Sequence, residues 1–127
     1  MHSALGTGCW VLSGSCGSWG GEITDQADLI VFLYTPTNIR MERLKNRESE
    51  RFGARIQPGG DMHRIHEAFI EWAKSYDDPC FGGRSLAGHE HWMSQQTAPI
   101  LRLDGTLPVS RLLREVMGQI QRLQKAA

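Results

Sequence analysis

The sequence has no net charge, because fourteen Lys and Arg side chains balance fourteen Asp and Glu side chains. This balance argues against a generally basic surface of the kind that binds nucleic acid, so nucleic acid is not an expected partner. The longest apolar run is much shorter than the roughly 20 residues that cross a bilayer, and no membrane partner is expected. Hydrophobic residues make up 40% of the 127 residues, which suits one folded domain rather than a disordered chain.

Cysteine is scarce. Cys9, Cys16 and Cys80 are the three cysteines, and an odd number cannot form a complete disulfide framework. The first residues also lack a basic head followed by an apolar segment, which a secretory signal would have. These absences predict a reducing, cytoplasmic setting.

Apolar runs predict three strands. In "DLIVFLYTPT", residues 29–34 are continuously apolar and rich in β-branched side chains, which predicts a strand buried on both faces. Shorter runs at 9–15 ("CWVLSGS") and 99–106 ("PILRLDGT") predict two more strands. Helical patterns lie at about 37–51, 62–75, 85–96 and 108–124, the second with Asp61 as its cap. Strands that alternate with helices predict an α/β fold with a mostly parallel sheet.

Arginines are concentrated in one predicted helix. Six of the fourteen Lys and Arg residues fall within residues 40–55. The spacing of three, four and four places a set of four on one stripe of the helix: Arg40, Arg43, Arg47 and Arg51. Arg55 follows just after the Phe52-Gly53 break.

Two interpretations of this stripe remain open. It could be a solvated face whose repulsion is relieved by Glu42, Glu48 and Glu50. Alternatively, the guanidinium groups could bind phosphate oxygens, which they do with two parallel hydrogen bonds and at any accessible pH. The helix begins directly after the most apolar strand, where open α/β sheets bind their ligands, and this position favours phosphate.

Three segments resemble the carboxyl half of bacterial P-loop NTPases related to adenylate kinase and other small-molecule kinases. They are "DLIVFLYTPTNIRMERLKNRE", "RFGARIQPGGDMHRIHEAFIEWAKSYDD" and "PILRLDGTLP", and "WVLSGSCGSWG" is similar to the strand and loop before that half. The resemblance implies a partial three-layer domain over residues 9–125 with a lid-like helical segment at about 40–75. It also implies ATP and Mg²⁺ as cofactors of the complete protein, and a small-molecule phosphate acceptor.

The resemblance also implies roles for individual residues. The lid residues that would close on the nucleotide phosphates, and so act in catalysis, are Arg43, Arg47, Arg51 and Arg55. The loop beside the adenine base would contain Asp104, Gly105, Thr106 and Pro108. If the analogy holds, the acceptor would lie against Ser13, Gly14 and Trp19.

The phosphate-binding loop of that family, G-x-x-x-x-G-K-[ST], is absent from the sequence. We therefore expect this chain to be inactive in phosphoryl transfer. We hypothesise that it is the carboxyl part of a longer kinase-like protein, separated by a late start codon, a gene break or gene decay. In the family the strand that carries this loop lies beside the strand at 29–34, so its absence predicts exposed strand edges and self-association.

Other functions remain open from the sequence. A non-catalytic module could use the arginine stripe to bind an anion, a nucleotide or RNA, or the chain could be a remnant without function. A zinc site is a weaker alternative, built from His63, His66, His89, His91 and Cys80. Phe69 and Trp72, together with Ile65 and Ala73, are expected to pack one helix face against the core.

Overall fold

A computed structural model describes residues 8–15, 21–82 and 84–126. Helices lie before, between and after two parallel strands, so the predicted α/β class is confirmed. The elements are α1 (Gly21–Thr24), β1 (Ile30–Tyr34), α2 (Thr37–Phe52), α3 (His63–Lys74), α4 (Leu86–Ser94), β2 (Ile100–Asp104) and α5 (Val109–Ala126). Short 3-10 turns, Gly53–Ile56 and Ser75–Asp77, follow α2 and α3. Within these ranges no helix has both the length and the apolar composition that a membrane span requires.

The sheet of the described residues contains β1 and β2, which pair in parallel. The register runs from Ile30 opposite Ile100 to Tyr34 opposite Asp104. The sequence correctly predicted both strands and their parallel direction. Parallel neighbours need a long connection, and here it contains α2, α3 and α4.

The strand predicted at 9–15 is not formed. Residues 8–15 have no regular secondary structure, and Val11 is 96% exposed. The prediction was wrong because an apolar run becomes a strand only where a neighbouring strand satisfies its backbone hydrogen bonds, and no described strand lies beside this one.

The prediction that β1 is buried on both faces was also wrong. Burial alternates along the strand, with Val31 38% and Leu33 54% exposed while their neighbours are half-buried. Successive side chains point to opposite faces of a strand. The described elements therefore cover one face of β1 and leave the Val31 and Leu33 face largely uncovered.

The four predicted helices lie within two residues of their predicted ends, and α1 was not predicted. Helix α2 ends where Gly53 adopts a positive φ of 58°, which glycine accepts readily. The Ser85 hydroxyl accepts a hydrogen bond from the Gly88 amide at 3.1 Å and so caps α4. The predicted Asp61 cap of α3 is wrong, because Arg55 donates two hydrogen bonds to the Asp61 carboxylate, at 2.9 and 2.8 Å.

The clearest core cluster lies between α2 and α3. Met41 and Leu44 of α2 are buried against Ile70 of α3, and Phe69 and Ala73 pack on this cluster. Two other residues predicted to share this face, Ile65 and Trp72, are 61% and 42% exposed. At about 100° per residue they lie at the margin of the contact stripe rather than at its centre, which explains the error.

Candidate anion-binding cleft

An open cleft of about 500 Å³ lies where β1 ends and the chain passes into α2. Four arginines from α2 and the loop before α4 line it: Arg40, Arg43, Arg47 and Arg84. Four aromatic residues line it as well: Tyr34, Phe69, Trp72 and Tyr76. None of its described lining residues is an Asp or a Glu. The cleft therefore combines positive charge with aromatic surface.

Arg43 connects two segments that the sequence resemblance had singled out separately. Its Nη1 donates a hydrogen bond of 2.7 Å to the carbonyl oxygen of Gly105. Arg43 belongs to the second turn of α2, and Gly105 follows the last residue of β2. The arginine helix and the loop after β2 thus meet at one edge of the sheet.

Arg47 lies one turn further along α2 and also lines the cleft. Among the described residues, neither Arg43 nor Arg47 forms an ion pair with a carboxylate. Both side chains are exposed. Their charges are therefore available to an anionic ligand.

Arg40 differs because its charge is already compensated. Its guanidinium donates to the Thr35 carbonyl at 3.0 Å, pairs with Asp77 at 3.4 Å and lies 4.9 Å from the centre of the Tyr76 ring. Asp77 also accepts hydrogen bonds from the Tyr34 and Thr37 hydroxyls. Burial, and then the nearby Asp77 charge, raise the pKa of Tyr34. Arg40 and Asp77 fix the end of α3 to the start of α2.

Arg51 and Arg55 do not line the cleft. The Arg51 guanidinium lies 5.1 Å from the centre of the Phe52 ring, and the Arg55 guanidinium lies 5.8 Å from it. The pair that Arg55 forms with Asp61 lowers the pKa of Asp61, chiefly through their hydrogen bond. The four predicted lid residues therefore divide, with Arg43 and Arg47 in the cleft and Arg51 and Arg55 outside it.

The loop after β2 is held mainly by its own hydrogen bonds. Asp104 Oδ1 accepts from the Thr106 amide at 2.9 Å and from the Thr106 hydroxyl at 2.6 Å, and these bonds lower the pKa of Asp104. The Gly105 amide donates to the Tyr34 carbonyl at 2.7 Å, and a Cβ at Gly105 would overlap the Thr35 hydroxyl. Pro108 is exposed and precedes α5. Of the four residues predicted here, Gly105 is the one that contacts an arginine of the cleft.

Three residues that line the cleft were not expected there from the sequence: Trp72, Tyr76 and Arg84. Trp72 was expected in the core, but it stacks on Phe69 with ring centres 6.0 Å apart and half faces solvent. The i, i+4 spacing of Trp72 and Tyr76 could have indicated one aromatic stripe. Arg84, whose guanidinium lies 5.7 Å from the Trp72 ring centre, stands in a loop and carries no sequence signal.

The residues predicted to hold an acceptor are not part of the cleft. Ser13 and Gly14 are exposed and absent from its lining, and Trp19 lies outside the described residues. The next residue, Ser15, has its hydroxyl 3.1 Å from His89 Nε2, and His89 Nδ1 lies 2.7 Å from the Tyr76 hydroxyl. Burial, and then Arg84, lower the pKa of His89. This network joins the amino-terminal segment to α4 and to the Tyr76 side of the cleft.

The described residues contain no group of three or more His, Cys, Asp or Glu side chains that could hold a metal ion. The residues of the zinc alternative have other contacts instead. His63 Nδ1 lies 2.8 Å from the Ile56 carbonyl, and His66 Nδ1 lies 3.6 Å from a Glu48 carboxylate oxygen. The geometry therefore gives the zinc alternative no site in this part of the chain.

Comparison with other proteins identifies a relative whose name gives no function. The chain is 38% identical, over 111 residues, to the uncharacterized protein YqaC of Bacillus subtilis strain 168. The aligned part is 87% of this chain and 62% of the relative, so the chain spans less than two thirds of that protein. No protein-family model matches the chain. No solved structure matches it either.

Proposed function

We propose that the cleft binds the phosphates of a nucleotide, and that the chain is the carboxyl portion of an ATP-binding protein resembling the adenylate-kinase-like small-molecule kinases. The observation that carries this proposal is the hydrogen bond from Arg43 to the Gly105 carbonyl. It brings together the arginine helix and the loop after β2, which the resemblance assigns to the phosphates and to the base. Phosphoryl transfer depends on such placement of positive charge.

The composition of the cleft supports a nucleotide rather than a bare anion. Arg43 and Arg47 offer two guanidinium groups that form no ion pair with a described carboxylate, each able to bind a phosphate through paired hydrogen bonds. The Trp72 ring, which lies beside Phe69 and the Arg84 guanidinium and is 42% exposed, offers aromatic surface to a base. A volume of about 500 Å³ is within the usual range for small-molecule sites.

The proposal extends to the complete protein. There the sheet would be the three-layer P-loop type, with ATP and Mg²⁺ as cofactors and a small molecule as the phosphate acceptor in the cytoplasm. The parallel strands and the cleft at their carboxyl ends support this fold. The sequence has no phosphate-binding loop, so we expect this chain to bind nucleotide without transferring phosphate.

Calorimetric titration with ATP tests the binding. Both Arg43→Ala and Arg47→Ala should weaken ATP binding, the former by about tenfold and the latter by less, since a hydrogen bond to a charged group contributes roughly 1.5–3 kcal/mol. Arg64→Ala removes the same charge from an exposed position of α3 outside the cleft and is the matched control. Equal weakening by all three variants, or no binding by the unmodified chain, would refute the proposal.

The non-catalytic alternative, in which the arginines bind RNA, makes a different prediction. An RNA strand held by several arginines loses affinity steeply as salt rises, with a logarithmic slope of about 0.7 per phosphate contact for a single strand. A single nucleotide bound by Arg43 and Arg47 contacts fewer phosphates and should show a shallower slope. Titration with ATP and with a single-stranded RNA at two salt concentrations separates the two functions. A chain that prefers the RNA and shows the steeper slope would favour the alternative.

A further inference from the structure

The free edge of β1 has a defined set of unpaired backbone groups. The Ile30 amide donates to the Pro99 carbonyl at 3.0 Å, and the Tyr34 carbonyl accepts from the Gly105 amide at 2.7 Å. In a parallel ladder, alternate residues of a strand bond to the same neighbour. Ile30, Phe32 and Tyr34 therefore bond to β2. The amides and carbonyls of Val31 and Leu33 face the other edge, where no described strand lies.

The same two residues expose their side chains. Val31 and Leu33 are 38% and 54% exposed, and both are on one face of the strand. Strands at the edges of natural sheets usually carry a charge, a proline or a bulge that prevents pairing with another chain. The sequence of β1, IVFLY, has neither a charge nor a proline. The edge thus combines unpaired backbone groups with uncovered apolar surface.

We propose that this edge pairs with the same edge of a second copy of the chain, in antiparallel orientation about Phe32. The two residues whose backbone groups point to the free edge, Val31 and Leu33, lie symmetrically on either side of Phe32. A two-fold axis beside Phe32 therefore places Val31 of one copy opposite Leu33 of the other. Each such pair exchanges both of its backbone hydrogen bonds, because outward-facing residues then stand opposite outward-facing residues. The two small sheets become one continuous sheet, and the exposed side chains of both copies adjoin on one face.

Electrostatics supports a second copy as the occupant. The chain has no net charge, so two copies do not repel each other at long range. Just beyond the paired residues, the same symmetry places Asp28 opposite Pro36, so no like charges meet at the ends of the contact. Edge pairing that is self-complementary in this way gives the closed two-fold symmetry common among homodimers.

Sedimentation equilibrium over a range of protein concentrations tests the proposal. The mass of the unmodified chain should rise toward twice 14.3 kDa as the concentration increases. Val31→Lys places a charge on the free edge and should keep the chain monomeric. Val109→Lys makes the same change at an exposed position of α5, and this control should dimerise like the unmodified chain.

Hydrogen exchange of single amides gives a second measurement that needs no variant. The Val31 and Leu33 amides should exchange slowly at high concentration and quickly after dilution. The Phe32 amide, which bonds to β2, should stay protected at both concentrations. A chain that is monomeric at every concentration, with fast exchange at Val31 and Leu33 throughout, would overturn the proposal. A peptide made from the part of the Bacillus relative outside the match can be added to the monomeric chain. If this peptide protects the Val31 and Leu33 amides, the edge binds a different strand, and the proposal of a dimer is also overturned.

Discussion

Asp77 is the residue whose removal should most clearly weaken the cleft. Its carboxylate accepts hydrogen bonds from the Tyr34 and Thr37 hydroxyls and pairs with Arg40 at 3.4 Å. The Asp77 and Arg40 side chains are 27% and 26% exposed, so solvent screens their interaction only in part. The Asp77→Ala substitution removes this acceptor from Tyr34, Thr37 and Arg40.

The expected loss in the free energy of unfolding is about 2 kcal/mol. Hydrogen bonds to a charged group contribute roughly 1.5–3 kcal/mol each. The sum is reduced because Arg40 keeps its bond to the Thr35 carbonyl and water can reach the freed hydroxyls. With an m-value of roughly 2 kcal/mol per molar urea, the unfolding midpoint should fall by about 1 M.

Urea unfolding followed by tryptophan fluorescence measures this loss. Asp25→Ala is the matched control, because it removes an exposed carboxylate for which no hydrogen bond or ion pair to a described side chain is found. A double-mutant cycle with Arg40→Ala should give a coupling energy of about 1 kcal/mol. A midpoint for Asp77→Ala equal to that of Asp25→Ala would show that the hydrogen bonds around Asp77 do not stabilise the fold.

Two further predictions concern a glycine and a tyrosine. Gly60→Ala should destabilise the fold by about 2 kcal/mol in the same urea assay, because its Cβ would overlap the Arg55 backbone carbonyl. The control, Gly82→Ala, places its Cβ more than 4 Å from any described atom outside its two chain neighbours and should have little effect. Equal effects of the two variants would contradict the packing at Gly60. Burial raises the pKa of Tyr76 to about 12, so its contribution to stability is full below pH 10 and is lost as the pH rises toward 12. In a Tyr34→Phe variant, Tyr76 is the remaining tyrosine, so the tyrosinate absorbance reports on Tyr76 alone. Its titration midpoint should lie near pH 12, whereas a midpoint near pH 10 would mean that Tyr76 is not buried.

The fold was predictable where local signals were consistent. The apolar run before Pro36 and the Phe52-Gly53 break each act within a few residues of themselves, and β1 and the end of α2 lie where they indicated. Burial was not predictable in this way, because it depends on distant elements. A continuous apolar run such as that of β1 is compatible with burial of both faces of the strand or of one face. Which faces are buried depends on the elements that pack against the strand, and these elements cannot be identified from the run itself.

The cleft was predictable only in part for a related reason. Helical spacing correctly placed Arg40, Arg43 and Arg47 on one stripe, but it could not show that Asp77, distant in sequence, compensates the charge of Arg40. Arg55 was predicted as a lid residue that closes on phosphates, and it pairs with Asp61. A spacing rule gives the direction of a side chain on its helix, whereas the availability of its charge depends on residues from other elements.

The hydrogen bond between Arg43 and Gly105 also distinguishes Arg43 from Arg47, although both side chains carry the same charge. An arginine side chain loses conformational entropy worth up to about 2 kcal/mol when it is fixed in one geometry. Arg43 has already lost part of this freedom, because one of its five N–H groups is held by the Gly105 carbonyl while the others remain open to a ligand. Arg47, one turn away, must still be ordered when a ligand arrives. An anion that meets both side chains should therefore gain more free energy from Arg43 than from Arg47.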